Sequence, residues 1–193
     1  QPGFGVVDTQ PLISPQLAYL VQNVLSDETA RRASLGYPNP LEIGRPAGAK
    51  LGQTAAGDDI WAAGFTPQRL AVVHINRKAA GNPERLDARL AAGTWYALMQ
   101  TAGRDLPPLG WEQPAGIHTV DVCDPSGLLP TAQCPTVVKE IFLAGNEPTA
   151  GDDLYRVLQV NRETGLLATI FTPAELVEQR TYFVVPPEAQ EWA

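Results

Sequence analysis

Residues 47–76 read AGAKLGQTAAGDDIWAAGFTPQRLAVVHIN, and this stretch decides the fold of the first half of the chain. It contains three short runs typical of strands, at residues 47–54, 60–66 and 69–76. Only Pro67 and Gln68 separate the last two runs, which predicts a tight hairpin and an antiparallel meander. Because the runs are rich in Ala and Gly, we expect another element to pack very close to their face.

Two helices are predicted, one on each side of the meander in sequence. The first covers residues 13–32, with Ser14 as its cap and Pro15 in its first turn. Its predicted buried face follows helical spacing and consists of Leu17, Leu20, Val21, Val24 and Leu25. The second covers residues 82–103, with Pro83 near its start and Gly103 as its stop. Its predicted inward residues are Leu86, Leu90, Ala97 and Leu98. Two helices over three strands indicate an α+β domain.

The chain changes character after residue 105, where a proline-rich linker leads into a strand that ends near Cys123. Residues 154–171 predict two strands joined by a hairpin, with Gly165 available for a positive φ. A last strand is predicted at residues 180–187, ended by two prolines. We therefore expect a first domain over residues 1–105 and a linker with a small all-β module over residues 106–193. We expect no internal repeat.

Composition and charge narrow the classes of function. The chain has 193 residues, 44% of them hydrophobic, and no apolar run approaches the ~20 residues that span a bilayer. It begins without Met, which indicates a piece of a longer protein or a processed product. The net charge is −7, yet residues 31–104 carry a net +5. Their cations lack interleaved aromatic residues, which argues against nucleic acid and favours an anionic small ligand or a peptide carboxylate.

The two cysteines, Cys123 and Cys134, flank a loop that contains Pro and Gly. Either they form a disulfide, which would place the protein outside the cytoplasm, or they are two buried thiols. Zinc would need further ligands, and the two histidines, His74 and His118, have no paired spacing. We therefore expect no metal and no cofactor.

The serines of the chain predict no self-contained active site. None of the four serines, at positions 14, 26, 34 and 126, has a lysine three residues on or lies in G-x-S-x-G.

Asp58 and Asp59 are interpreted as caps of a turn, with a metal or acid-base pair as the alternative. Trp61 and Phe65 are expected in the core, and His74 as a structural histidine. Lys50 remains the unusual residue, because a cation in an apolar strand is costly unless an anion meets it.

The order of these elements resembles the C-terminal half of the transpeptidase domain of class A penicillin-binding proteins, which also carry a glycosyltransferase. The matching stretches are ISPQLAYLVQNVLSDETARR, LGYPNPLEIGRPAGAKLGQT and DDIWAAGFTPQRLAVVHIN. In that family they correspond to a helix, a loop, a strand with the motif K-[ST]-G-[ST], an acidic turn and a hairpin. The segment VCDPSGLLPTAQCP resembles a Cys-flanked piece that follows the transpeptidase in some members. The resemblance is good to about residue 105 and moderate to about residue 150.

The resemblance implies a cell-wall D,D-transpeptidase in which a serine of S-x-x-K attacks a D-Ala-D-Ala peptide. Carried over by position, Lys50 supplies positive charge, Gly52 is the glycine of the motif, and the Gln53 N–H is an oxyanion donor. Leu51 stands in place of a hydroxyl residue, and Thr54 is one position beyond the usual hydroxyl. The S-x-x-K and S-x-N motifs are absent from these 193 residues. We therefore expect this chain alone to be inactive, although its parent would be an enzyme.

The alternative interpretation is a non-catalytic module that binds a wall peptide, a glycan strand or a partner protein. A third interpretation treats residues 115–193 as an interaction domain that positions a synthase. In each case the expected location is extracytoplasmic and associated with the cell envelope, with membrane attachment through parts of the parent protein. An exposed sheet edge favours a homodimer.

Overall fold

A computed structural model describes residues 10–77 and 86–192 of the chain. It divides into two compact units, Gln1–Ala115 and Gly116–Ala193. Helices and antiparallel sheets are mixed, which confirms the predicted α+β class. Within the described residues, no helix is both long and apolar enough to cross a membrane.

The meander of the first unit forms as predicted. Its strands are β1 (Gly48–Gln53), β2 (Asp59–Phe65) and β3 (Leu70–Asn76), in the order β1-β2-β3. Both pairs are antiparallel. The hydroxyl of Thr66 accepts the N–H groups of Gln68 and Arg69 and so closes the β2–β3 turn.

A helix, α3 (Ala88–Gly103), packs against the sheet through a very close contact. A Cβ on Gly64 would lie 2.8 Å from both Trp95 Cε2 and Gly48 O, so glycine is needed where the indole meets β2. The Trp95 Nε1–H donates to Ala71 O at 3.1 Å. The expectation that an element lies close to the Ala- and Gly-rich strands is therefore confirmed.

The predicted inward face of the second helix is wrong for three of its four residues. The helix begins at Ala88 with Asp87 as its cap, whereas the predicted start near Pro83 lies outside the described residues. Leu90, Ala97 and Leu98 are exposed, although Leu86 is buried as expected. The buried face is Ala91, Ala92, Trp95, Met99 and Gly103. Three small residues, Trp95 and Met99 form this face, and the indole of Trp95 lies where Gly64 lets the sheet approach closely.

The predicted first helix is two helices, α1 (Pro15–Ser26) and α2 (Glu28–Leu35). Ser14 caps α1 as predicted, accepting the Leu17 N–H at 3.2 Å. Asp27 breaks the run because its extended backbone and its carboxylate, which accepts the Ala30 N–H at 2.9 Å, begin a new helix. None of the residues predicted to form the inward face of α1 is fully buried, so that expectation is wrong.

The second unit contains two antiparallel pairs of strands. They are β4 (Ile117–Cys123) with β5 (Val137–Leu143), and β6 (Tyr155–Asn161) with β7 (Val177–Phe183). Short 3-10 helices cover Ala174–Leu176 and Pro187–Trp192. Gly165 has φ 70°, as expected, but residues 166–171 form a loop with a single bridge and the partner of β6 is β7. The strand β5 had no counterpart among the predicted elements.

The expectation of no internal repeat is also wrong. The strand β6 repeats β4 at a spacing of 38 residues, and the turn after each contains a Gly-Leu-Leu-x-Thr sequence beginning at Gly127 and Gly165. Both glycines have φ 70°, and each donates its N–H at 2.8 Å to the last residue of the preceding strand, Cys123 or Asn161. The second unit is therefore built from two copies of one strand and turn.

Candidate functional site

The backbone of β1 presents donors at the outer edge of the sheet. Thr54 N–H donates to Asp59 O at 3.0 Å, which identifies Gln53 and Ile60 as a non-hydrogen-bonded pair of the ladder. The N–H of Gln53 consequently points away from β2, toward the side of β1 on which the described residues place no strand. Because backbone N–H groups point to alternate sides along a strand, the N–H of Leu51 points in the same direction as that of Gln53.

Lys50 lies in the middle of this edge strand and its side chain is exposed. Among the described residues, no carboxylate forms an ion pair with its ammonium group. Its cross-strand neighbour is Ala63, and Val72 lies opposite Ala63 on β3. The position is therefore not a buried cation, and its charge is available to a ligand.

A small cavity of about 70 Å³ lies beside Lys50. Its polar lining comes from Lys50, Arg31 and Ser34, and no carboxylate residue lines it. The Arg31 Nη1–H donates to Leu25 O at 2.5 Å, but its Nε and Nη2 are buried without an acceptor in the described structure. Because two unsatisfied guanidinium nitrogens are costly, this cavity has the chemistry of an anion site.

Sequence reasoning did not identify Arg31 or Ser34. Both lie on α2, and what brings them to β1 is the path of the chain through the loop between α2 and β1. The only feature of the sequence that points to an anion site here is the net positive charge of residues 31–104.

Leu51 and Gly52 have different environments. Leu51 is half-buried and packs on the core cluster between sheet and helices, so the residue at the expected hydroxyl position serves the core. Gly52 is exposed, and a Cβ there would meet Trp61 Cβ at 3.7 Å, an ordinary contact. Glycine is thus not required by crowding at this position.

The side chains of Gln53 and Thr54 are engaged within the unit. The Gln53 Nε2 donates to Leu86 O at 2.6 Å. The Thr54 hydroxyl accepts the N–H groups of Asp58 and Asp59, each at 3.1 Å, and so caps the β1–β2 turn. In this arrangement the backbone of Gln53, and not either side chain, faces the open edge.

The carboxylates of the two aspartates in the turn contact side chains, while the Thr54 hydroxyl accepts the backbone N–H groups there. Asp58 pairs with Arg77 at 2.5 Å. Asp59 Oδ1 lies 2.7 Å from His74 Nε2 and accepts a hydrogen bond from Asn76 at 2.8 Å. Within the described part of the chain, no three His, Cys, Asp or Glu residues are grouped so as to hold a metal ion.

Trp61 lies on the outer face of the sheet, so its predicted core position is wrong. The residue is 42% exposed, and its ring stacks on that of His74, with centroids 3.8 Å apart and planes 13° from parallel. Phe65 is half-buried and contacts Trp111 edge to face. His74 is held from two sides, by Trp61 and Asp59, as expected of a structural histidine.

The predicted disulfide is present in the second unit. Cys123 and Cys134 are joined, with their Cα atoms 5.8 Å apart, and Cys123 is fully buried. The bond closes the loop that follows β4.

The class of protein follows from comparison of this fold and strand with known proteins. Residues 113–157 match the family described as "Penicillin-binding protein 1A, C-terminal domain". The chain belongs to the class A penicillin-binding proteins and corresponds to their C-terminal part.

The relatives are, more particularly, penicillin-binding proteins 1A. That of Clostridium botulinum is 29% identical over 91% of this chain and 22% of its own length. That of Clostridium perfringens is 31% identical over 78% of this chain and 18% of its own length. The crystal structure of penicillin-binding protein 1A from Haemophilus influenzae superposes with a TM-score of 0.59 and 26% identity, over 73% of this chain and 22% of that one. The chain thus spans about a fifth of the length of these relatives.

Proposed function

We propose that the protein to which this chain belongs is a peptidoglycan synthase, and that β1 is the substrate-facing strand of its D,D-transpeptidase domain. The observation that carries the proposal is the outward direction of the Gln53 N–H on an edge strand that also bears the exposed Lys50. In this mechanism Lys50 attracts the carboxylate of the stem peptide. The Gln53 N–H donates to the oxyanion that forms when the peptide carbonyl is attacked.

The nucleophile is supplied by another part of the protein in this proposal. These 193 residues contain no S-x-x-K, so the chain by itself is not acylated. Leu51 also removes a hydroxyl that would hydrogen-bond the substrate, a loss of about 1–3 kcal/mol if the partner stays unpaired. The Gln53 N–H is unaffected by that replacement, because it belongs to the backbone.

A fluorescent penicillin tests this proposal. We expect no covalent label on the 193-residue chain and a hydroxylamine-sensitive label on the full-length gene product. Labelling of the isolated chain contradicts the assignment of the nucleophile to another part of the protein. A full-length product that neither binds penicillin nor polymerises glycan would refute the family function itself.

The second candidate is a non-catalytic module that binds a wall peptide through the same strand, and the cavity between Arg31 and Lys50 favours it. Titration of the chain with a D-Ala-D-Ala peptide distinguishes the two functions, because only a binding module needs affinity without the nucleophile. If it binds, Lys50→Ala should weaken it about fivefold or more, as expected for loss of a charged contact. Lys139→Ala is the matched control, since Lys139 pairs with Asp121 in the second unit.

We also propose an extracytoplasmic location, with membrane attachment through other parts of the protein. The disulfide between Cys123 and Cys134 supports this, because such bonds persist in oxidising compartments. Stem peptides and glycan strands are the proposed partners. The edge of β1 that pairs with no strand among residues 10–77 and 86–192 is a proposed surface for homodimers. Alkylation of intact cells before and after reduction checks the location: thiols that react without reduction would refute it.

A further inference from the structure

The two copies of strand and turn in the second unit differ in what covers them. In the first copy, Cys123 N–H donates to Leu128 O at 2.8 Å, and in the second copy Asn161 N–H donates to Leu166 O at 2.8 Å. The leucine that follows, Leu129 or Leu167, therefore occupies the same position in each turn. Its own N–H and C=O point away from the preceding strand in both copies.

In the first copy an extended segment satisfies these outward groups. Leu129 N–H donates to Ala150 O at 3.0 Å, and Asp152 N–H donates to Leu129 O at 2.8 Å, so Gly151 pairs with Leu129 as a parallel bridge. The carboxylate of Asp152 is buried and accepts the Tyr155 N–H at 3.0 Å. The leucines of the first turn, Leu128 and Leu129, are half-buried.

In the second copy the same groups are open. Within residues 10–77 and 86–192, no hydrogen bond reaches the N–H or the C=O of Leu167. Leu166 and Leu167 are 70% and 65% exposed, and the residues that follow, Ile170 and Phe171, are 93% and 87% exposed. The corresponding residues of the first copy are Ala132 and Gln133. The second copy thus has more apolar surface and less to cover it.

Charge also differs between the copies in a way that favours an acidic ligand. Arg162 replaces Asp124 at the first position of the turn, and its side chain is exposed. In the described structure no carboxylate pairs with its guanidinium group. An acidic segment that binds the second copy would therefore gain a cation that the first copy lacks.

We propose that Leu167 is the centre of a binding site for an extended peptide segment with the sequence small residue, Gly, Asp. The segment pairs with Leu167 in parallel, as Ala150–Gly151–Asp152 pairs with Leu129, and it covers the surface formed by Leu166, Leu167, Ile170 and Phe171. Backbone hydrogen bonds supply the pairing, and the exposed apolar residues supply the buried area.

The test uses the whole chain and a synthetic peptide with the sequence of residues 146–155, NEPTAGDDLY. Titration followed by amide NMR should shift the Leu166, Leu167 and Ala168 signals while the Leu129 signal stays in place. Leu167→Pro removes the outward N–H together with the leucine side chain and should weaken binding about fivefold to tenfold or more, whereas Leu167→Ala, which keeps the N–H, measures the loss of the side chain alone. A peptide methylated on the nitrogen of its Asp152 residue should lose a similar factor, since it lacks the equivalent donor.

Two results refute the proposal. One is the absence of shifts at Leu166–Ala168 with millimolar peptide, and the other is binding that Leu167→Pro and the methylated peptide leave unchanged. Arg162→Gln provides a second, exposed variant in case Leu167→Pro disturbs the turn, and it should weaken binding in a salt-dependent way. If the same amides shift with protein concentration in the absence of peptide, and sedimentation shows a dimer, the occupant is a second copy and the peptide proposal is wrong.

Discussion

Removal of the disulfide should destabilise the second unit by a predictable amount. The perturbation is the double variant Cys123→Ala, Cys134→Ser, which changes one fully buried and one half-buried position. The bond joins residues separated by 11 positions. Closure of a loop of this length removes about 9 cal/mol/K from the entropy of the unfolded chain, or about 3 kcal/mol at 25 °C. For a domain of the size of Gly116–Ala193, this corresponds to a fall in Tm of about 12–24 °C.

Scanning calorimetry of the oxidised chain, with and without reductant, measures this effect. Reductant should lower the Tm of the second unit in the unmodified chain to that of the variant, and it should leave the variant unchanged. The transition of the first unit, which contains no cysteine, serves as the internal control. A fall in Tm of less than about 5 °C would show that the loop is already ordered without the bond, and it would refute the entropic reasoning.

Three further predictions concern stability. Gly64→Ala should destabilise the first unit by about 1–3 kcal/mol, because the added Cβ meets Trp95. Gly93→Ala on α3 should instead stabilise it by up to about 1 kcal/mol, because no atom lies near the added Cβ. Urea unfolding measures both free-energy changes. Trp95→Phe should cost about 1–3 kcal/mol in the same assay, because it leaves the carbonyl that accepts the indole N–H without its donor. The pKa of Glu147 is lowered by hydrogen bonds from the Glu147 backbone N–H and from His118. Burial raises the pKa of Asp152, but hydrogen bonds from Ser126 and from backbone N–H groups outweigh this effect, so that its pKa is also lowered. Each carboxylate therefore stabilises the folded chain above its ordinary pKa, 4.5 for Glu147 and 3.8 for Asp152, and this stabilisation is lost as the pH falls through the lower pKa of the folded state. Glu147→Gln with Asp152→Asn should flatten the acid limb of a Tm-against-pH curve.

The meander could be predicted because its signals are local. Strand alternation, the Thr66 turn and the small residues of β1 and β2 lie within residues 47–76, and each agrees with the others. The fold class and the disulfide followed for the same reason, from short-range patterns.

The errors came from elements whose burial depends on distant partners. The helix α3 is apolar on more than one side, and only the closeness of the sheet selects Trp95 over Leu90 and Leu98 as the inward residues. The strand β6 pairs with β7 across a loop, so the nearby apolar residues 166–171 gave a false strand signal. Lys50 could be found from its local pattern, whereas Arg31 could not, because its approach to β1 depends on the path of residues 36–47.

The duplication in the second unit has a consequence for how such a module can grow. The segment that closes the first turn, residues 150–152, is also the connection that leads into β6, the first strand of the second copy. The first copy is therefore covered by the segment that leads into the second copy, and the open turn of the second copy leaves room for a further segment of the same kind. A module of this kind would vary in length by whole steps of 38 residues, which is the spacing from Gly127 to Gly165.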